Sequence, residues 1–251
     1  MKLRPTILAA ALLAAACAPA ATAGPSAAIT DGESLIRAMH GRYAGRWYRT
    51  LAFTQKTTFS PPGRPPRVET WEEYGALPGR LRIERGEGRG VIFRGDSTYT
   101  FAGDTLVRRV RGRNELMTLG FDVYAQAPER TAQILREDGF DTGRFHRAVW
   151  QGRPAYVVGA AEGDTASKQF WVDAERLVFV RLLTPSPNGG AVQDLRFNRY
   201  ERAGGGWIAM EVEIVAGGAR VFHEEYSNLR VDLPLDESLW VPERWREARH
   251  P

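Results

Sequence analysis

The sequence holds a single cysteine, Cys17, in 251 residues. It lies in the N-terminal leader, so no disulfide can staple the mature chain, and a packed core must hold the fold. Lysine is nearly missing as well, occurring only at positions 2, 56 and 168, so arginine carries most of the positive charge. The formal charge of +4 falls to about +2 once Lys2 and Arg4 leave with the leader, and the pI of 9.4 therefore overstates the pull toward polyanions. Catalytic signatures are missing too. His223-Glu224-Glu225 is not H-E-x-x-H, and His40, His146 and His250 have no companions at metal-ligand spacing. There is no G-x-S-x-G and no P-loop. Gly86 to Gly90 is glycine-rich, yet it lies between strands and opens no helix, which makes it a turn. The doublets Glu72-Glu73 and Glu224-Glu225 each split across a sheet, because neighbouring strand residues face opposite ways, and are expected to be solvated or edge charges. These absences point away from an enzyme and imply no cofactor and no metal. The densest basic cluster, Arg108, Arg109, Arg111 and Arg113, belongs to no nucleic-acid-binding module, so nucleic acid is not an expected partner; it fits a weak attraction to anionic lipid surfaces.

The N-terminus carries an export signal. Lys2 and Arg4 form a positive n-region, Ile7 to Ala16 is apolar but too short to span a bilayer, and Ala21-Thr22-Ala23 is an A-x-A cleavage site before Gly24. This divides the chain into a signal, 1–23, and one domain, 24–251. The alternative is a lipoprotein signal, 1–16, because Leu13-Ala14-Ala15-Ala16-Cys17 resembles a bacterial lipobox, in which the cysteine is lipidated and anchors the chain. No second apolar run is long enough for a transmembrane helix.

The rest of the chain is dominated by strand patterns. Asp31 and Ser34 can cap a short amphipathic helix carrying Leu35, Ile36, Met39 and Tyr43. Trp47 to Phe59 then reads as a strand with Leu51, Phe53 and Phe59 on one face and Tyr48, Thr50 and Thr54 on the other. Arg67 to Ala76 follows, with Trp71 facing opposite to Tyr74. Arg80 to Arg85 alternates cleanly, and short runs occupy Val91 to Phe93, Thr98 to Phe101 and Leu106 to Val110, with turn pairs at Gly95-Asp96 and Gly103-Asp104. Asn114 to Asp138 breaks this rhythm and predicts a helix ending near Gly120 and a second from Pro128 to Arg136. Phe145 to Trp150 and Pro154 to Ala160 resume the strands. Five more follow at Phe170 to Asp173, Leu177 to Leu183, Val192 to Tyr200, Trp207 to Val215 and Ala219 to Val231. The Pro/Gly-rich break Thr184 to Gly190 interrupts them, and Gly217-Gly218 supplies a hairpin turn. The order is a helix, about six strands, a helical insertion and about seven strands, an antiparallel α+β arrangement.

This order resembles the periplasmic lipoprotein-carrier fold of the LolA/LolB-like superfamily. The resemblance is carried by Trp71-Glu72-Glu73-Tyr74 through Ile83, by Gly139-Phe140-Asp141 closing the insertion, and by Gly152-Arg153-Pro154-Ala155-Tyr156-Val157 and Phe170-Trp171-Val172-Asp173. It is clearest from Tyr226-Ser227-Asn228-Leu229 through Asp236, followed by Leu239-Trp240-Val241-Pro242. It implies a strongly curved antiparallel half-barrel with helices across its open, concave side, and a cavity between them for acyl chains. It also implies an arginine on an early strand that holds the lid, for which Arg49, Arg80 and Arg82 are the nearby choices. Cys17 matters because the receptor-type relative is itself lipidated.

The residues expected to line such a cavity are Leu51, Phe53, Leu81, Ile83, Phe93, Tyr99 and Phe101 from the first block of strands. Leu116, Leu119 and Phe121 come from the insertion, and Leu195, Phe197, Ile208, Met210, Val212 and Ile214 from the last strands. Each buried acyl CH₂ would gain about 0.8 kcal/mol, so a chain can be held without a charged anchor. The expected function is a periplasmic or outer-membrane-associated monomeric carrier whose ligand is a lipidated protein or another lipid. The alternatives are an interaction module of the same fold with a filled cavity and, more remotely, an envelope hydrolase.

Overall fold

The computed structural model describes residues 28–186 and 190–251. The expected leader and cleavage site, Cys17, and residues 187–189 of the Pro/Gly-rich break lie outside the described residues. The first helix, α1 (Gly32–Tyr43), starts where Asp31 and Ser34 were expected to cap it, and the two form a capping box. The Asp31 carboxylate accepts from the Ser34 N–H at 2.6 Å, and the Ser34 hydroxyl accepts from the Asp31 N–H at 3.0 Å. Leu35, Ile36, Met39 and Tyr43 form its buried face.

Among the described residues thirteen strands form one antiparallel sheet. The first six are β1 (Thr50–Phe59), β2 (Arg67–Ala76), β3 (Arg80–Glu84), β4 (Gly90–Arg94), β5 (Ser97–Ala102) and β6 (Thr105–Arg111). The last seven are β7 (Phe145–Trp150), β8 (Arg153–Val158), β9 (Gln169–Asp173), β10 (Phe179–Thr184), β11 (Gln193–Ala203), β12 (Gly206–Ala216) and β13 (Ala219–Val231). Each block is a meander, and the two join in the middle where β1 pairs with β13. The free edges are therefore β6 and β7. The sheet is not closed into a barrel; it is a curved half-barrel with few helices. The insertion between β6 and β7 must travel from one edge of the sheet to the other, and that topology makes it the cover of the concave face. It consists of α2 (Glu115–Gly120), a 3₁₀ turn (Asp122–Tyr124) and α3 (Pro128–Glu137).

The main core lies between this helical layer and the concave face, and it is densest over β8 to β12. Val158, Phe170 and Phe179 are fully buried there with Leu35, Met39 and Leu135. Trp47 stacks on Tyr124 with ring centres 3.7 Å apart, and the Tyr124 hydroxyl accepts from the Phe179 N–H at 3.1 Å. Gly32 sits where a β-carbon would fall 2.7 Å from both Thr142 O and the Val158 side chain, so only glycine lets α1 approach so closely. Tyr48 differs from expectation: it joins the same core as Leu51 and donates its hydroxyl to Trp207 O at 3.3 Å. It precedes β1, so strand alternation does not govern it.

The convex face of the first block is covered as well, by the C-terminal tail. Two 3₁₀ segments, Glu237–Trp240 and Pro242–Glu247, lie across it. Leu239 and Trp240 are buried with Ala52, Tyr74 and Ala76, and Trp245 stacks on Phe101 with ring centres 4.2 Å apart. Trp71 and Tyr74 thus serve opposite faces, as their spacing predicts. Among the described residues no helix is long and apolar enough to cross a membrane.

Candidate functional site

The early-strand arginines hold the tail and not the lid. Arg82 is buried, donates to Trp245 O at 2.8 Å, and lies 3.8 Å over the Trp245 ring. Arg80 donates to both carboxylate oxygens of Glu237 and lies over Trp240, while Arg49 is exposed. Strand parity is the reason: even positions of β3 face the convex side, so Arg80 and Arg82 point away from the insertion. The insertion is clamped from elsewhere. Lys168 donates to the Glu115 carboxylate on α2 and to Asp138 O at 2.6 Å beyond α3. Arg113 pairs with Glu137 at 2.9 Å. The Asp122 carboxylate accepts from the Gly79 N–H at 2.9 Å, tying the turn after α2 to the β2–β3 connection.

Beneath α2 lies a cavity of about 70 Å³ on the concave face of β1, β2, β3 and β13. Its apolar lining includes Leu51, Phe53, Leu81 and Ile83 from the strands, Phe197 from β11, and Leu116, Met117 and Phe121 from the insertion. The other expected lining residues are distributed differently. Leu119, Leu195, Ile208 and Val212 are buried in the main core, and Met210 and Ile214 pack against it half-buried, farther along the concave face. Phe93 borders a separate groove of about 380 Å³ that runs past Gly79, Asp96, Met117, Asp122, Arg130 and Ile134.

Tyr99 and Phe101, expected on the concave face, occupy the convex one with Ile92 and Trp245. The register explains this. Phe93 pairs with Leu81 across β3–β4 and with Thr98 across β4–β5, so Thr98 and Thr100 share the concave side and the aromatic residues alternate outward. The sequence pattern suggested no cover for that outer face; the tail supplies it.

The cavity also has a polar wall. Glu73 on β2 and Glu224 on β13 both line it, with Gln55 and Tyr226. The doublets split across the sheet as their spacing predicts, but of the inward members Glu73 is buried and Glu224 half-buried. Glu73 is 5 % exposed and has no hydrogen-bond partner among the described residues. Burial pushes its carboxyl well above the usual range, the nearby Glu224 pushes it further, and Arg85 offsets this in part. Burial likewise raises Glu224, against the pull of the Tyr226 hydroxyl, which donates to it at 2.8 Å, and of the Gln55 amide. Gln55 and Thr57 are buried on the same face of β1 and bonded to each other at 2.7 Å. Parity held the signal for this wall. Once Trp71 faces the core, Glu73 must as well, and Gln55 shares the face of Phe53. The join between β1 and β13, which brings the two glutamates to one cavity, is not written in any local pattern. Among the described residues no cluster of three or more His, Cys, Asp or Glu is arranged to hold a metal ion.

No protein-family model matches the chain, and no curated protein matches it. Its architecture does match solved structures. A DUF1329 family protein from Desulfovibrio piger superposes with a TM-score of 0.57 at 15% sequence identity, over 83% of this chain and 95% of that one. A structure described as an outer membrane lipoprotein-sorting protein domain, from Vibrio parahaemolyticus, gives a TM-score of 0.57 at 12% identity, over 86% and 98%. A LolA superfamily protein from Nitrosomonas europaea aligns at 0.49 and 13%, over 79% and 94%. The chain therefore shares its fold with the DUF1329 family protein and with the Vibrio domain; at these identities the likeness concerns fold.

Proposed function

We propose that this protein is a lipid carrier of the bacterial cell envelope, and that the concave face beneath α2 receives an acyl chain from a lipidated protein or another lipid. The observation that carries the reading is the partly open cavity whose apolar lining is Leu51, Phe53, Leu81 and Ile83 below, and Leu116, Met117 and Phe121 above. The lipoprotein-sorting domain with the same fold supports it, as does the export signal. On this reading the protein works in the periplasm as a monomer, without a cofactor, nucleic acid or catalysis. It is released by cleavage after Ala23 or anchored through a lipidated Cys17.

The cavity is about half the size of the roughly 150 Å³ void that holds benzene in a well-studied engineered core. A long chain therefore enters only if α2 lifts, and it would then extend along Phe197, Val212 and Met210. The same small volume favours a second reading, a filled core that acts through protein contacts. Displacement of a fluorescent fatty-acid probe separates the two. Wild-type protein should bind the probe, and both Ile83→Glu and the half-buried lid variant Leu116→Glu should weaken binding by about tenfold or more while keeping the native circular dichroism. Absence of binding by wild-type protein would favour the filled-core reading.

A further inference from the structure

The concave cavity is apolar at one end and rich in hydrogen-bond acceptors at the other, and its acceptors outnumber the donors that face them. Glu73 offers two carboxylate oxygens with no donor among the described residues, although the residue is 5 % exposed. Glu224 receives the Tyr226 hydroxyl at 2.8 Å and feels the Gln55 amide, which also donates to Thr57 Oγ at 2.7 Å. Arg85 stands nearby with its guanidinium 4.5 Å over the Trp71 ring, and no hydrogen bond joins it to Glu73. The Glu73 carboxyl opens onto the cavity, where a ligand's donor can reach it. Two carboxylates are brought to this one cavity from strands on either side of β1.

We propose that Glu73 and Glu224 form a head-group site for a protonated amine, so that the ligand of this cavity is a cationic amphiphile with an ammonium at the polar end and its chain against Phe53, Leu81 and Ile83. This deepens the lipid-carrier reading and rests on it. An ammonium brings three donors and a further positive charge to a wall whose acceptors outnumber its donors. Where the two glutamates are ionised a carboxylate head would meet like charge, and a hydroxyl head would supply a single donor. The raised proton affinities of the two glutamates fit the same picture, since a bound cation would stabilise their ionised forms.

Calorimetric titration of the full mature chain with decylamine, decan-1-ol and decanoate at neutral pH tests this. Decylamine should bind at least about tenfold more tightly than decan-1-ol, with decanoate weakest. The double variant E73Q/E224Q, near-isosteric and relieved of buried charge, should bind decylamine and decan-1-ol alike while keeping the native circular dichroism. Equal binding of the three by wild-type protein, or an amine preference that survives in the double variant, would overturn the head-group assignment and leave the lipid-carrier reading standing. Failure of wild-type protein to bind any of them would overturn both.

Discussion

Glu73 and Glu224 make stability depend on pH in a direction opposite to that of a surface carboxylate. A carboxyl whose proton affinity is raised in the folded state holds its proton there at pH values where the unfolded chain has released it. Stability is then greatest below the unfolded carboxyl pKa, near 4, and is lost as pH rises through the folded value. Asp122, buried under Gly79, behaves the same way, since burial pushes it up to about 7. Asp122→Asn keeps an oxygen to accept from the Gly79 N–H. It should leave stability unchanged near pH 4 and raise it by about 1–3 kcal/mol at pH 8, as read from urea midpoints at the two pH values. A flat difference between the variant and the wild type across pH would show that Asp122 ionises normally. The double glutamine variant at positions 73 and 224 should be stabilised at pH 8 in the same manner. At this scale the sequence is only half informative. Period two assigns Trp71 and Glu73 to one side of β2, and Tyr226 and Glu224 to one side of β13, but it does not say that those sides face one cavity.

The lid is a different matter, because α2 has only six residues and too few internal hydrogen bonds to persist alone. The Asn114 side chain caps it by accepting from the Leu116 N–H at 3.0 Å, and the Lys168 ammonium grips Glu115. At the other end Gly120 lies against Phe197, so close that a β-carbon there would fall 2.9 Å from the ring. If ligand uptake requires α2 to lift, loosening its clamp should speed exchange more than it harms the fold. Lys168→Met should increase the rate of fatty-acid probe uptake several-fold and raise amide hydrogen exchange across 115–121, while the amides of β11 and β12 stay protected. Unchanged uptake with a looser α2 would mean that the lid does not limit access. The break of the insertion at Gly120 and the restart at Pro128 are legible from the residues, as are the cap of α1 and every strand. The clamp is not, because Lys168 lies 53 positions along the chain from Glu115 and the arginines that seemed suited to the role serve the other face.

The whole molecule is a single open sheet with a cover on each side, and the two covers do different work. The helical insertion lies over the concave face because it must connect the edge strands β6 and β7. The C-terminal tail seals the convex face through Trp240 and Trp245, with Arg82 buried between tail and sheet. Trp240→Ala should therefore destabilise the protein by about 3–5 kcal/mol, seen in denaturant unfolding, and leave probe affinity unchanged under conditions where the variant is folded. Loss of affinity in folded protein would place the tail in the binding cycle. The number and order of strands follow from turn spacing; the tail's position does not, since Leu239-Trp240-Val241-Pro242 reads as a short apolar run with no period to say which face it meets. The central claim, that the cavity beneath α2 is a lipid site, is tested most directly by mass spectrometry of an organic extract of the mature protein purified without detergent. The account predicts an acyl-chain species in stoichiometric amount. An extract free of lipid, from protein that also fails to take up a fatty-acid probe, would contradict it.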